Sequence, residues 1–139
     1  MEILQNLENL EVLIIGDVML DRYLTGSVSR ISPEAPVPVV LHQDSEDRLG
    51  GAANVALNVR ALGGVPVLCS VVGRDRDGEA FQHILPANDI TAEGIMASPA
   101  RRTTVKTRVL GNNQQMLRID REDTHDLTGE EEQFFLQKI

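Results

Sequence analysis

A chain of 139 residues with 42% hydrophobic content is long enough for one domain with a buried core. Its 13 basic and 21 acidic residues leave a formal charge of −8, which argues against a nucleic-acid or anionic-membrane partner. No run approaches transmembrane length, and Met1 to Leu10 lacks the basic and apolar regions of a signal peptide. The single Cys69 allows no internal disulfide and reads as a small core residue, so a soluble, cytoplasmic protein is expected.

Glu11 to Ile15 is an apolar run that leads into Gly16-Asp17. This pattern predicts a central parallel strand buried on both faces, with Asp17 beyond its carboxyl end, where α/β sheets bind ligands. Asp21 follows four residues later. Two carboxylates there suit hydroxyl groups or a cation, although either could instead cap a helix or close a turn. Pro33, Pro36 and Pro38 forbid a crossover helix in residues 22–49. Val37 to His42 reads as a short edge strand of a small accessory sheet standing off the main domain.

Gly50-Gly51 opens a predicted helix from Ala52 to Leu62, and Gly63-Gly64 stops it. Val55, Leu57, Val59 and Leu62 place apolar groups on more than one side, which predicts a largely buried helix. A glycine pair at a helix start lets a ligand approach outward-pointing N–H groups, and Asn54 adds an amide in the first turn. On this segment alone the same residues read first as small groups that pack the helix on a sheet. Val65 to Val72, containing Cys69, reads as the next buried strand and completes a β-α-β unit.

Gly73 to Gly78 is a polar loop whose Asp-x-Asp-Gly lacks the later ligands of a calcium site, so no metal site is read there. Asp77 is expected to cap a helix from Gly78 to about Leu85, with Pro86 as its stop. Ile95-Met96 is a short strand candidate. Thr103 to Leu110 and Gln115 to Asp120 alternate with period two around Gly111-Asn112-Asn113, a hairpin. Thr104, Lys106 and Arg108 share one face, and Val105, Thr107 and Val109 share the other. From spacing alone the two cations either solubilise the strand or face an anion. Thr128 and Glu131 form a capping box for a helix that carries Phe134, Phe135, Leu136 and Ile139, of which Phe134, Phe135 and Ile139 are expected to be partly uncovered.

Gly50, Gly51, Ala52, Asn54, Ala56, Gly63 and Gly73 fit the first signature of the ribokinase-type (PfkB) carbohydrate kinases, and the chain resembles the N-terminal half of that family. Gly16 to Tyr23, Arg30 to Val39, Lys106 to Leu110 and Asn113-Gln114-Gln115 are similar to its heptose-7-phosphate kinase branch. The resemblance implies a ribokinase-like α/β fold: a mostly parallel sheet flanked by helices, a small β lid from residues of about 22–49 and 103–121, and a partial domain. It implies the sugar-binding and lid half of a kinase that transfers the ATP γ-phosphate to D-glycero-β-D-manno-heptose 7-phosphate. The 1,7-bisphosphate would then serve ADP-heptose and lipopolysaccharide core synthesis.

By the same resemblance Asp17 accepts hydrogen bonds from sugar hydroxyls, Gly50 and Gly51 admit the ring, and Asn54 holds a further hydroxyl. Asp21 either joins them or orders the lid turn, and Lys106 and Arg108 look over the sugar phosphate. Homodimerisation through the lid is implied, as is use of ATP and Mg2+ by the full-length enzyme. The family's second signature, Asp-Thr-x-Gly-Ala-Gly-Asp, is absent. No catalytic base, ATP site or metal site is therefore expected in this segment, which should be inactive alone. Other readings are a related sugar or nucleoside kinase, or a non-catalytic module that binds a sugar phosphate.

Overall fold

The computed structural model describes residues 10–137, so the reading of Met1 to Asn9 and the expectation for Ile139 lie outside the described residues. Two sheets carry the fold. The first is parallel, in the order β1 (Glu11–Ile15), β4 (Val65–Gly73), β5 (Ile95–Ser98). The second has the order β3 (Pro38–Gly51), β2 (Val18–Ile31), β6 (Val105–Gly111), β7 (Gln114–Arg121). Its β2–β6 pairing is parallel, and its outer pairings are antiparallel. Helices α1 (Ala52–Ala61), α2 (Arg76–Ile84) and α3 (Gly129–Leu136) complete the chain.

The parallel sheet buries its two faces unequally. Ile14, Leu68 and Val72 pack with Ala53 and Ala56 of α1 and with Phe81 of α2. On the opposite face Cys69 and Met96 pack against Phe135 of α3. Leu13 and Ile15 share that second face, opposite Val67 and Cys69 in the ladder, yet both are about half exposed (51% and 55%). The expectation of a first strand buried on both faces is thus corrected. Helix α3 is eight residues long and reaches only part of the face.

The second sheet does not stand off the domain as expected. Its base is rooted in the core through Val18, Leu20, Leu49 and Val105, which join Phe81, Leu85 and Ile90 in one cluster. Burying a side chain such as Phe81 contributes roughly 1.5–3 kcal/mol, so this root is a substantial attachment. The strand expected over Val37 to His42 is a fourteen-residue strand, β3, and it does lie at the sheet edge. Its partner β2 has no counterpart in the sequence reading. Thr25, Gly26, Ser27 and Ser29 give it little apolar signal, and register shifts at Thr25/Gly26 and Val28/Arg30 break its alternation.

Three local expectations are also revised. Helix α1 buries only Ala53 and Ala56, while Val55 and Leu62 are about half exposed. The small side chains let the helix lie close on the sheet, which turns its larger residues outward. Helix α2 is capped by Asp75, not Asp77: the Asp75 carboxylate accepts from the Gly78 N–H at 2.8 Å. Phe135 is buried, whereas Phe134 and Leu136 are exposed.

Candidate functional site

Beyond the carboxyl end of β1 the chain turns at Gly16 and Asp17 and passes directly into β2 of the lid sheet. Asp17 lines a cleft of about 450 Å³ between the strand ends and the lid, together with Met19, Thr104, Lys106 and the 122–127 segment. Its carboxylate is exposed and has no hydrogen-bond partner among the described residues. An ionised carboxylate in that position is an acceptor waiting for donors such as hydroxyl groups.

Behind Asp17, the Ala52 N–H donates to its backbone carbonyl at 2.8 Å and ties the start of α1 to the end of β1. Gly51 adopts φ +60°, and a Cβ there would run into the Asp17 carbonyl. At Gly50 a Cβ would lie 2.5 Å from the Asp21 carboxylate and 2.7 Å from Met19 Cγ. The glycine pair is therefore required first by the chain's own close approach to itself. Asn54, one turn into α1, is exposed, and α1 has no side-chain N-cap.

The lid face directed at the cleft is laid out by register. Asp21 stands beside Arg48 and Lys106, and Tyr23 beside Glu46 and Arg108. Lys106 lines the cleft and is paired with Asp120 at 3.3 Å and Glu122 at 3.4 Å. Arg108, two residues further out, donates to Asp21 at 2.6 Å and lies over the Tyr23 ring at 5.4 Å, with Arg48 over the same ring at 4.6 Å. The Asp21 partnership holds the Arg108 guanidinium even more firmly in its charged form. Asp17 and Lys106 are thus brought into one cleft. Asp21 and Arg108 are brought to each other, and Arg108 does not line the cleft.

Two polar junctions fix the lid to the body. At the first, the Asp75 carboxylate accepts from the Thr103 N–H at 3.0 Å and from its hydroxyl at 2.7 Å, besides capping α2. Burial pushes the Asp75 carboxyl up, but the hydrogen bonds from Thr103 and Gly78 outweigh it and hold the group below the usual range. At the second, Asp77 near the start of α2 receives both Arg22 of β2, at 2.9 Å, and Arg121 of β7. Arg22 also grips Asp47 of β3 through two bonds of 2.7 Å.

Residues that sequence reasoning passed over also line the cleft. Arg101 and Arg102 precede β6, and both reach it. Arg102 pairs with Asp123 at 2.5 Å, while Arg101 donates to the His125 carbonyl at 3.0 Å. The signal available was an arginine pair directly before a strand in a chain poor in cations. Among the described residues no group of three His, Cys, Asp or Glu side chains gathers to hold a metal ion. The residues lining the cleft include no glycine-rich phosphate cradle. These residues do not fit ATP or Mg2+, and no step through either is assigned to them.

A parallel sheet whose strand ends open into a cleft, with a second β sheet rooted beside that cleft, defines an α/β domain with an accessory β sheet. The chain belongs to the pfkB family of carbohydrate kinases, whose sequence pattern matches residues 9–139. It is 47% identical over 121 residues to the bifunctional protein HldE of Methylobacillus flagellatus, covering 87% of this chain and 25% of that protein. With HldE of Caulobacter vibrioides the identity is 52% over 112 residues, covering 81% and 23%. The chain thus spans about a quarter of the length of these relatives. Among solved structures it resembles an uncharacterized sugar kinase from Pyrococcus horikoshii in complex with ATP, with TM-score 0.56 and 26% identity, covering 82% of this chain and 34% of that one. The expected ribokinase-like fold and family are both borne out.

Proposed function

We propose that the chain forms the sugar-binding and lid portion of an ATP-dependent kinase acting on D-glycero-β-D-manno-heptose 7-phosphate. The observation that carries this reading is the Asp17 carboxylate at the end of β1, without a hydrogen-bond partner among the described residues and in one cleft with Lys106 of the lid. Its support is the similarity to HldE proteins and the heptose-branch segments around Asp17, Pro33 and Lys106. In the full-length protein the phosphoryl group would come from ATP with Mg2+, held by residues other than those lining this cleft.

Phosphoryl transfer depends mostly on positioning and electrostatics. In this chain Asp17 accepts from a sugar hydroxyl and orients the ring, and Asn54 offers a further amide to it. Gly50 and Gly51 keep the start of α1 close behind. The Asp21–Arg108 pair braces the lid face, and the closed lid excludes water from the sugar. The product, a heptose 1,7-bisphosphate, belongs to ADP-heptose and lipopolysaccharide core precursor synthesis, a cytoplasmic process. Exposed Ile31, Val37 and Leu41 beside the edge strand, with Leu117 and Ile119 of β7, support a homodimer formed through the lid.

The test is Asp17→Asn in the full-length protein. Loss of a charge-assisted hydrogen bond of about 1.5–3 kcal/mol should lower kcat/KM for the heptose phosphate by roughly ten- to hundredfold. The KM for ATP should hardly change. Unaltered sugar kinetics would remove Asp17 from the site. A higher kcat/KM for another sugar or a nucleoside would transfer the reading to another member of the family.

A further inference from the structure

We propose that Arg101 is the residue that receives the phosphate ester of the substrate, an inference that rests on the sugar-phosphate reading above. Asp17 and Arg101 both line the main cleft, and both line the adjoining recess of about 170 Å³ that continues from it beside Ile15 and Phe135. Among the described residues no other cation lines both spaces. A sugar whose hydroxyl reaches Asp17 therefore has Arg101 along the same wall.

The state of the neighbouring charges decides between the candidates. The cleft is lined by four carboxylates, from Asp17, Glu122, Asp123 and Asp126, and by three cations, from Arg101, Arg102 and Lys106. It has no general excess of positive charge to attract a phosphate, so a particular cation must be free. Arg102 is committed to Asp123 through two nitrogens, and its bonds hold the Asp123 carboxyl down to about 2. Lys106 is shared between Asp120 and Glu122. Arg108 is held by Asp21 and stacked on Tyr23, outside the cleft. To hold a phosphate, each of these would have to share its charge between the new anion and a carboxylate it already serves.

Arg101 has no carboxylate in direct contact among the described residues, although its charge helps to hold the Glu131 carboxyl down. It is part-buried, it makes no salt bridge among the described residues, and its hydrogen bond goes to a neutral acceptor, the His125 carbonyl. One Nη2 donor is used there, which leaves the rest of the guanidinium fork for a two-point grip on phosphate oxygens. That existing bond also orders the side chain beforehand, reducing the cost of fixing it on binding. The −8 charge of the chain makes such an uncommitted cation more consequential, since the wider field opposes a dianion.

The experiment compares Arg101→Gln, Arg101→Lys and Arg108→Ala in the full-length protein, using D-glycero-β-D-manno-heptose 7-phosphate and the unphosphorylated heptose as probes. Glutamine keeps a donor for the His125 carbonyl while removing the charge, so a purely structural role would be largely preserved. The expected result for Arg101→Gln is a roughly ten- to hundredfold rise in KM for the phosphorylated sugar. The KM for the parent heptose should change less than about twofold, and that for ATP should not change. Arg101→Lys should recover part of the loss as a point charge. Arg108→Ala, which releases Asp21, should affect both sugars alike. Equal losses for the two sugars at Arg101, while the wild type still prefers the phosphorylated one, would overturn the assignment alone. A wild type that shows no preference for phosphate would overturn the substrate reading with it.

Discussion

Replacing Asp75 should loosen the fold more than an exposed loop aspartate normally would, because one carboxylate serves two elements. It caps α2 through the Gly78 N–H and takes both the N–H and the hydroxyl of Thr103, a residue only 1% exposed. Asp75→Ala removes an N-cap, which costs about 0.5–2 kcal/mol. It also leaves the buried Thr103 N–H without its acceptor, which costs about 1–3 kcal/mol. The Thr103 hydroxyl keeps a longer bond to the Gly73 carbonyl, 3.4 Å, and so adds little. Together these give a destabilisation of roughly 2–4 kcal/mol. Asp75→Asn should cost about half as much. Its amide oxygen can still serve Gly78 and the hydroxyl, but its NH2 then faces the Thr103 N–H, donor against donor. Urea unfolding of the two variants, followed by circular dichroism, measures both values. A loss below about 0.5 kcal/mol for alanine, or equal losses for the two, would refute this accounting.

Acid should weaken the α3 attachment in a defined window. Glu131 is held down to about 2 by the Ser98 hydroxyl first and by Thr128 second, against an ordinary value of 4.5. A carboxyl whose folded value is depressed contributes stability that is complete above pH 4.5 and is lost as pH falls towards 2. Glu131→Gln should therefore flatten the pH dependence of unfolding in that interval, leaving the contributions of Glu46, Asp75, Asp120 and Asp123; an unchanged profile would count against it. Asp77→Asn should leave Arg22 and Arg121 facing each other at the lid junction, costing roughly 1–3 kcal/mol because both arginines keep some access to water. The additional Arg121→Gln should recover part of that loss, and strict additivity in the double-mutant cycle would show that the junction is not coupled.

What the sequence discloses here is what local chemistry decides. The Asn112-Asn113 turn is legible because both residues sit at positive φ, 52° and 64°, which asparagine tolerates. The Thr128–Glu131 capping box forms as spaced. The Cys69 strand and the position of Asp17 follow from a continuous apolar run with a polar end. What the sequence leaves hidden shares another cause. Asp75 rather than Asp77 caps α2 because Thr103, 28 residues away, adds two donors to the Asp75 carboxylate, and Asp77 is claimed by arginines from β2 and β7. By spacing and resemblance Arg108 reads as a cation facing a phosphate. Its partner Asp21 lies 87 residues earlier and meets it only through a parallel ladder that spacing does not announce. Leu13 and Ile15 look like core from composition, but their exposure depends on how far Phe135 of α3 extends over the sheet.

The same long-range pairing explains why the cleft lies where it does. Thr103 is the fixed point: its side chain and N–H are bound to Asp75, and the Gly73 N–H donates to its hydroxyl at 2.9 Å. Gly73 ends β4 and Gly78 lies in the first turn of α2. A Cβ at Gly78 would collide with the Gly73 carbonyl, and one at Gly73 would sit 2.6 Å from the Thr103 nitrogen. Strand end, helix start and lid strand are therefore compressed into one knot that tolerates no side chain at either glycine. Arg101 emerges two residues before that knot, on a loop tied to the 122–127 segment, and Lys106 three residues after it, on the lid sheet. Asp17 is tied on both sides, to the start of α1 through the Ala52 N–H and to the lid sheet because Val18, the next residue, begins β2. The placement of the second sheet therefore bears on both Lys106 and Asp17 in the cleft. The junction of Asp77 with Arg22 and Arg121 lies at the root of that sheet and ties β2 and β7 to α2.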